Sequence, residues 1–225
     1  MNSGGFTHKF EETMNKLKRT GLFGALIALL LGAAVISSTL SSCAALNALA
    51  GVARIQFKLN DVQSVRLAGI DIANKHSVSD FSIMDGVNLL GAFSSGRFPL
   101  TFTLNVAAKN PNQPSSASSM LSSLQVSQFP WRLLIDNHET ISGDIGAPIG
   151  VPAGGTTVMM PLQVSVDLKQ FFANQGYNDM INLALAIAGQ GTSRLQLKAQ
   201  PTMTSPIGSL KYPSELTIVN TQFSS

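Results

Sequence analysis

The amino-acid sequence predicts a mainly β protein, an antiparallel sandwich or barrel of seven or eight short strands with one to three short helices. Apolar and polar residues alternate strictly in several stretches, which is typical of strands with one buried face. Turns rich in proline and glycine separate these stretches, as at residues 147–148, 151–155 and 205–208. Alternation interrupted by such turns favours antiparallel sheets.

The composition places the chain among folded proteins. Only 12% of its 225 residues are charged and 44% are hydrophobic, the opposite of a disordered chain. The formal net charge is +3, with four Lys/Arg against two Asp/Glu in residues 1–42 and eleven against ten in the rest. This basic excess is too weak to indicate binding to nucleic acid.

The predicted strands follow one another along residues 54–218. The first alternates over residues 54–60, and the second contains a bulge at Ala68 and Gly69, where the alternation changes phase. Further runs are predicted at residues 100–108, 129–135, 158–166, 194–198 and 216–218, and a short polar segment is flanked by Ile141 and Ile145.

Helical spacing interrupts the strands at residues 82–93 and 178–188, and a shorter helical turn is predicted at residues 167–173. Ser82 is a candidate N-cap of the first helix, and Gly189 is expected to end the second. The shared apolar faces are Ile83, Val87 and Leu90 in the first helix and Ile181, Leu185 and Ala188 in the second.

Two polar loops are predicted between strands. Residues 113–123 are Ser-rich and are expected to be flexible. Residues 136–140 are predicted to be a hairpin tip, with Asp136 and Asn137 as turn formers. His138 lies beside two carboxylates there, so a metal or acid–base site is the alternative to a plain hairpin.

The N-terminal segment has the pattern of a secretory signal. Three basic residues precede an apolar run of 16 residues at positions 21–36, and small, hydroxylated residues follow. No charged residue occurs from position 20 to position 53. Met14 is an alternative start to Met1, since it gives a more usual length of the basic region.

The chain has one cysteine, and Leu40, Ser41 and Ser42 precede Cys43 directly. This resembles the bacterial lipobox, in which an aliphatic residue and two small residues precede a lipidated cysteine. The resemblance implies cleavage before Cys43, a diacylglycerol on its thiol and acylation of the new amino terminus. Acyl chains contribute ~0.8 kcal/mol per buried methylene, so two or three of them anchor a protein stably.

The lipoprotein interpretation divides the chain into a signal peptide (1–42), a lipidated tether (43–53) and one domain (54–225). Ala44 follows the cysteine, which by the sorting pattern of bacteria with two membranes implies the outer membrane, provided the source has one. An uncleaved membrane helix over residues 21–40 stays open, because roughly 20 apolar residues can span a bilayer, and so does a chance cysteine. With no second cysteine, the domain depends on core burial for its stability.

Four segments follow one another along the chain: LTFTLNVAAKNPN (100–112), WRLLID (131–136), ISG (141–143) and VPAGGTTVMMPLQVSV (151–166). Their order resembles the group 2 late embryogenesis abundant family, also called the WHy (water stress and hypersensitive response) domain. The resemblance implies a fibronectin-like or immunoglobulin-like β-sandwich with a helix, a link to desiccation and other stresses, and no established catalysis. Residues 77–96 depart from the family, because a minimal domain lacks this stretch.

The Asn110, Pro111 and Asn112 motif also has a physical interpretation of its own. Pro111 has no amide hydrogen and therefore stops a strand ladder, and a residue that precedes proline is biased towards extended backbone. Asparagine side chains then satisfy backbone groups in the turn. We interpret the motif as a strand terminator, and ligand binding by the asparagines is the alternative.

Residues suited to catalysis are few. No nucleophile elbow, P-loop or dinucleotide-binding glycine motif occurs after Cys43, and a lipidated Cys43 leaves no thiol for zinc. Asp61, Asp71, Asp80 and Asp85 lack calcium-loop spacing. Trp131 is expected in the core. We therefore expect no catalytic residue, no cofactor and no metal.

These observations predict a lipid-anchored, non-enzymatic envelope protein that protects or binds at the membrane surface under desiccation or other stress. Its expected partners are the membrane, through the lipid on Cys43, and an envelope protein. The alternative is a structural or assembly subunit of an envelope complex that uses an exposed strand edge for β-augmentation. A hydrolase or metal enzyme is a third hypothesis, which the missing motifs disfavour.

Overall fold

The computed structural model describes residues 50–113, 123–206 and 208–220. Within them the chain is mainly β, with twelve strands in three antiparallel four-stranded sheets. The predicted signal peptide, Leu40 to Cys43, and most of the 113–123 loop lie outside the described residues. None of the helices in the described part has the length and apolar content needed to cross a bilayer.

The element bounds are as follows. The strands are β1 (Gln56–Leu67), β2 (Ile70–Asp71), β3 (Pro99–Lys109), β4 (Ser123–Gln128), β5 (Trp131–Ile135), β6 (His138–Gly143), β7 (Ile149–Pro152), β8 (Thr157–Asp167), β9 (Leu195–Ala199), β10 (Thr202–Ser205), β11 (Gly208–Lys211) and β12 (Leu216–Ile218). The helices are α1 (Ile83–Ser94), α2 (Leu168–Phe171) and α3 (Tyr177–Gln190), with 3-10 turns at Val78–Asp80 and Gly191–Arg194.

One sheet has the strand order β2-β1-β3-β8. The pairing of β3 with β8 runs without a break from Pro99 opposite Asp167 to Lys109 opposite Thr157. The alternation predicted for residues 100–108 and 158–166 is confirmed, because every second side chain in these runs is buried except Val158, which is half-buried. The period-two pattern thus determines which face of each strand packs inward.

The alternation predicts a bulge at Ala68–Gly69, and this prediction is wrong, because the structure has a tight turn there. Leu67 pairs with Ile70 across it, and both turn residues have positive φ, 49° at Ala68 and 84° at Gly69. Positive φ at both central residues defines a turn whose twist matches paired strands. The register shifts lie earlier in β1, after Leu59 and after Gln63.

The other two sheets adjoin end to end, and we call them together the bent sheet. Phe129 and Pro130 separate β4 from β5, Gln200 and Pro201 separate β9 from β10, and β4–β5 pairs with β9–β10 on both sides of this break. The amide of Gln200 donates to the carbonyl of Pro130 across it at 3.2 Å. Proline cannot donate to a ladder, so two prolines on adjacent central strands interrupt the ladder there. This break explains part of the difference between twelve observed and seven or eight predicted strands.

A single hydrophobic core joins the first sheet to the bent sheet, which makes the domain an antiparallel β-sandwich. Phe57 of β1 contacts Phe129 of the bent sheet with ring centroids 5.4 Å apart. At one edge the amide of Leu59 donates to the carbonyl of Val219 at 3.1 Å. Sandwiches of this kind pack alternate residues of both inner faces against each other.

The predicted helices are present, with one wrong boundary. Helix α3 buries Ile181 and Leu185 in the core, as their spacing indicated. It continues through Gly189 to Gln190, so this glycine does not end it. The short helix α2 begins after Asp167, whose carboxylate accepts from the amide of Lys169 at 3.0 Å. Tertiary packing of a buried helix outweighs the local cost of one glycine.

Candidate functional site

The structure places Asn110 and Asn112 directly after β3, where they bind backbone. Both are buried. Asn110 donates to the carbonyl of Val151 at 3.2 Å, and its side-chain oxygen accepts from the amide of Asn112 at 3.1 Å. Asn112 donates to the carbonyl of Gly51 at 2.9 Å. The strand-terminator interpretation of the Asn110-Pro111-Asn112 motif is therefore the one that its contacts favour.

The same motif fixes two other segments of the domain. The carbonyls of Asn110 and Asn112 accept from the amides of Gly155 and Gly154 at 2.8 and 2.9 Å, which holds the turn before β8. The contact of Asn112 with Gly51 holds the chain where it enters β1. Buried backbone groups require such partners, so the motif ties the start of the domain to its sheets.

Trp131 lies in the core, as its alternating strand predicted, with 5% of its surface exposed. It pairs with Gly143 across β5 and β6. A Cβ on Gly143 would lie 2.5 Å from Cζ2 of the Trp131 ring. The glycine of the ISG segment therefore provides the space in which the indole packs.

The predicted hairpin tip is a two-residue turn at Asp136 and Asn137, whose φ values are 49° and 64°. The carboxylate of Asp136 forms an ion pair with Arg194, whose Nε donates to Oδ1 at 2.7 Å. His138 faces Phe172 instead, with ring centroids 5.8 Å apart. An open cavity of about 190 Å³ next to this turn is lined by the same ion pair. These contacts hold the turn in place and bring no acid–base pair together.

The remaining carboxylates named by the sequence analysis serve local structure. Asp61 accepts from the side chain of Asn105 at 2.6 Å, and Asp71 accepts from the amide of Ala73 at 3.0 Å. In the described part of the chain, no three His, Cys, Asp or Glu side chains come together as potential metal ligands.

The outer face of helix α1 is the surface of the domain that stands out chemically. Ile83 is 92% exposed, and Met84, Val87 and Leu90 are 68%, 60% and 53% exposed. Their spacing puts them on one side of the helix. The shared face of Ile83, Val87 and Leu90 is thus confirmed, and it points away from the core. We call these four residues the outer face of α1.

The opposite side of α1 holds the helix on the domain. Leu89 is buried, and Phe93 contacts Phe98 and Tyr177 with ring centroids 5.7 and 5.3 Å apart. The ammonium of Lys169 lies 4.0 Å from the Phe93 ring centroid and donates to the Phe93 carbonyl at 3.2 Å. Burial raises the pKa of the Tyr177 hydroxyl. The helix is therefore fixed from its inner side, and its outer face needs no part in this packing.

The start of α1 is capped as the sequence predicted. The amide of Asp85 donates to the Ser82 hydroxyl at 3.1 Å, and the carboxylate of Asp85 accepts from the Ser82 amide at 3.0 Å. This reciprocal pair satisfies amides that a helix start leaves free. The backbone hydrogen bond from Ser82 is the main cause that lowers the pKa of Asp85, and Lys75 adds to it. In the preceding turn, the His76 and Ser77 amides lower the pKa of Asp80 in the same way.

Helix α1 and the start of the domain lie at opposite ends of the first sheet. The Lys109 end of β3 pairs with Gln56, six residues after Ala50, where the described part of the chain begins. At the other end of β3, Phe98 contacts Phe93 of α1. Ten residue steps at about 3.3 Å per residue separate the two ends by about 33 Å.

The fold and these contacts define an antiparallel β-sandwich protein that presents an apolar helix face at one end. No protein-family model matches the chain, and none of the curated proteins matches its sequence. Two solved structures are similar to it. A protein from Archaeoglobus fulgidus is 11% identical with a TM-score of 0.31, over 55% of this chain and 82% of that one. The putative ApaA protein from Bordetella pertussis is 12% identical with a TM-score of 0.29, over 73% of this chain and 98% of that one.

Two features of the site did not follow from the sequence analysis. The alternation and the helical spacing do not show that the outer face of α1 is exposed, because they determine which residues share a face but not what the face meets. The signal that could have indicated it is the apolar composition of residues 83–90. Nothing in the sequence pointed to Arg194 as the partner of Asp136, since the two are 58 positions apart.

Proposed function

We propose that this chain is a lipid-anchored, non-enzymatic protein of a bacterial cell envelope, whose β-sandwich protects or binds surfaces next to the membrane. The observation that carries the proposal is the exposed outer face of α1. Contiguous exposed apolar patches mark sites at which proteins, membranes or ligands bind. Asp136 and His138 take no catalytic role in this proposal, because their contacts are an ion pair and an aromatic ring.

The location is supported by the lipobox-like order of Leu40, Ser41, Ser42 and Cys43 after an uncharged apolar run. Substituting Cys43→Ser removes the thiol that would take the diacylglycerol. The expected result is an unprocessed precursor that incorporates no labelled fatty acid, while the parent protein is labelled and fractionates with the outer membrane of a two-membrane host. Unchanged labelling of the serine variant would contradict the anchor.

A role in desiccation or other stress is supported by the resemblance to the WHy domain and by the outer face of the first sheet. The outward residues of β3 and β8 there include Thr101, Thr103, Asn105, Gln163 and Ser165. Thr103 and Gln163 hydrogen-bond to each other at 3.2 Å. A rigid face of hydroxyl and amide groups stays hydrated and occupies the space between surfaces as water is withdrawn.

The stress role is tested by survival after drying. We compare the parent strain with a deletion strain and with a strain that carries Cys43→Ser. Both changes are expected to lower survival, since the domain would be absent in one case and mislocalised in the other. A deletion strain that survives drying as well as its parent would refute the stress role and leave the anchor untouched.

A structural or assembly subunit is the second candidate, and β8 is the observation that favours it. This strand of 11 residues lies at the edge of its sheet, and an exposed edge can pair with a strand of another protein. Met159 on β8 is 46% exposed. The test is whether the protein is isolated from membranes in a stoichiometric complex. Met159→Lys should disrupt this complex, because lysine discourages pairing at an edge, and Val87→Asp should leave it intact. This pair of results would favour the assembly function.

A further inference from the structure

We propose that the outer face of α1 inserts into the same bilayer that holds the lipid on Cys43, so that the sandwich lies along the membrane and is attached at both ends. This inference rests on the proposed lipid anchor. It names the partner of the α1 surface as the lipid bilayer itself.

The chemistry of α1 suits a bilayer interface. Its outer face consists of Ile83, Met84, Val87 and Leu90. The charged residue within the helix is Asp85, whose carboxylate lies 3.5 Å from the ammonium of Lys75 and so is neutralised within the domain. An amphipathic helix lies in the plane of the interface with its apolar side about 5–10 Å deep at the headgroup boundary. Insertion here would depend on apolar burial and little on anionic lipid.

The length of the tether keeps the domain close to the membrane. Cys43 is seven residues before Ala50, the first residue that the structure describes. Seven residues span at most ~25 Å when fully extended. Beyond the tether the chain is fixed, since Asn112 donates to the Gly51 carbonyl and Tyr212 to the Ala53 carbonyl, at 2.9 and 2.8 Å. The entry of the sandwich at Ala50 therefore remains within this distance of the bilayer, and the rigid domain keeps α1 close enough to raise the effective concentration of lipid around it.

The position of α1 points to a broad partner surface. The helix lies at the far end of β3 from the tether, about 33 Å away along the strand. A bilayer extends under both ends of the domain at once, so no further protein is needed to contact α1. The first sheet would then run roughly parallel to the membrane.

The size of the face argues against a second copy of this chain as the occupant. Four exposed apolar side chains make up the face, whereas a stable protein interface uses about 20–30 residues on each side. Insertion into lipid requires no complementary surface of matched shape. The bilayer is therefore the occupant that a small uncharged helix face fits best.

The test uses the full-length lipoprotein, purified with its lipid and reconstituted in phosphatidylethanolamine–phosphatidylglycerol vesicles. A Leu90→Cys variant carries an environment-sensitive fluorophore on the outer face of α1, and Thr217→Cys on an exposed position of β12 is the matched control. Acyl chains brominated at known depths serve as quenchers. The parent protein should take up no maleimide, because the lipid occupies its one thiol, so labelling of the parent would refute the anchor and with it the attachment at both ends.

The inference predicts that brominated lipid quenches the probe at Leu90 and leaves the probe at Thr217 unquenched. Adding Val87→Asp should abolish the quenching at Leu90, since a buried charge is costly. Asn88→Asp introduces the same charge on the flank of the helix and should preserve the quenching. Equal quenching at both probe positions, or a probe at Leu90 that stays in water, would overturn the inference. So would a blue-shifted probe that brominated lipid does not quench, because the face would then be buried against protein: a second copy, another protein or, in an uncleaved precursor, the chain's own residues 21–36.

Discussion

The space above Gly143 provides a sharp test of the packing in the bent sheet. Gly143 in β6 lies opposite Trp131 in β5. A methyl group built on its Cα falls 2.5 Å from Cζ2 and 2.9 Å from Cε2 of the indole. Ordinary contacts between carbon atoms are about 3.5–4.0 Å. To restore an ordinary contact distance in Gly143→Ala, the indole ring must move away by roughly 1 Å.

The ring has little room to retreat, because Trp131 is 5% exposed and lies in the hydrophobic core. Overpacking a well-packed site costs about 1–3 kcal/mol. Gly150→Ala is the matched control, since Gly150 lies in β7 and a Cβ there meets no atom within 4 Å. At such a site the alanine should stabilise the fold by about 0.4–1 kcal/mol, because it restricts the unfolded chain. The two variants should thus differ by about 1.5–4 kcal/mol.

Urea denaturation followed by circular dichroism measures this difference. The fluorescence of Trp131, the one tryptophan in the chain, reports on the same site and should shift in the Gly143 variant alone. In a thermal melt each kcal/mol corresponds to about 2–4 °C for a domain of this size. A double variant that adds Trp131→Phe should lose less than the sum of its parts, since the smaller ring relieves the contact.

Equal stability of the Gly143 and Gly150 variants would refute the reasoning. The indole could not then be seated over Gly143, and the register of β5 with β6 would need to be different. Additive effects of Gly143→Ala and Trp131→Phe would lead to the same conclusion.

Further expected outcomes concern the turn, the asparagine motif and the cap of α1. Asp136→Ala should cost about 1–2 kcal/mol in chemical denaturation, since alanine is strained at a positive φ and an ion pair is lost, whereas His138→Ala should stay within about ±0.5 kcal/mol. Asn112→Ala should cost about 1–3 kcal/mol, because a backbone carbonyl loses its buried donor, and the exposed neighbour in Gln113→Ala should cost almost nothing. Because the pKa of Asp85 is lowered from 3.8, its carboxylate stabilises the helix fully above pH 3.8 and loses this effect as the pH falls below that value. The amide resonances of α1 should show this loss in an acid titration. In Asp85→Asn the same resonances should no longer depend on pH in this range.

Local chemistry made several elements predictable. The alternation in residues 100–108 depends on side chains that point to opposite faces in any strand, so it survives in β3 whatever the partner strand is. The Ser82 cap and the turn at Asp136 and Asn137 are formed by contacts within a few residues. Pro111 stops β3 because it lacks an amide hydrogen. Each of these features can therefore be predicted without knowledge of the rest of the molecule.

Other elements could not be predicted because their partners are distant in sequence. Strands β4, β7, β10 and β11 are short, and each becomes a strand by pairing with its neighbours in the bent sheet. The sequence predicts a bulge at Ala68–Gly69 but cannot distinguish it from a tight turn, because both change the phase of the alternation. Pairing of Leu67 with Ile70 decides between the two.

The amino-acid sequence is sufficient to predict the mainly β class, the faces of the long strands, the cap of α1 and the role of the Asn110-Pro111-Asn112 motif as a strand end. These properties follow from backbone chemistry and from the period of the side chains. The pairing of Asp136 with Arg194 and the outward orientation of the apolar residues of α1 are visible only in the folded domain. A hydrophobic period shows which residues lie together, but burial depends on which elements the whole chain brings against that face, and in this domain the core is filled by α3 and the two sheets.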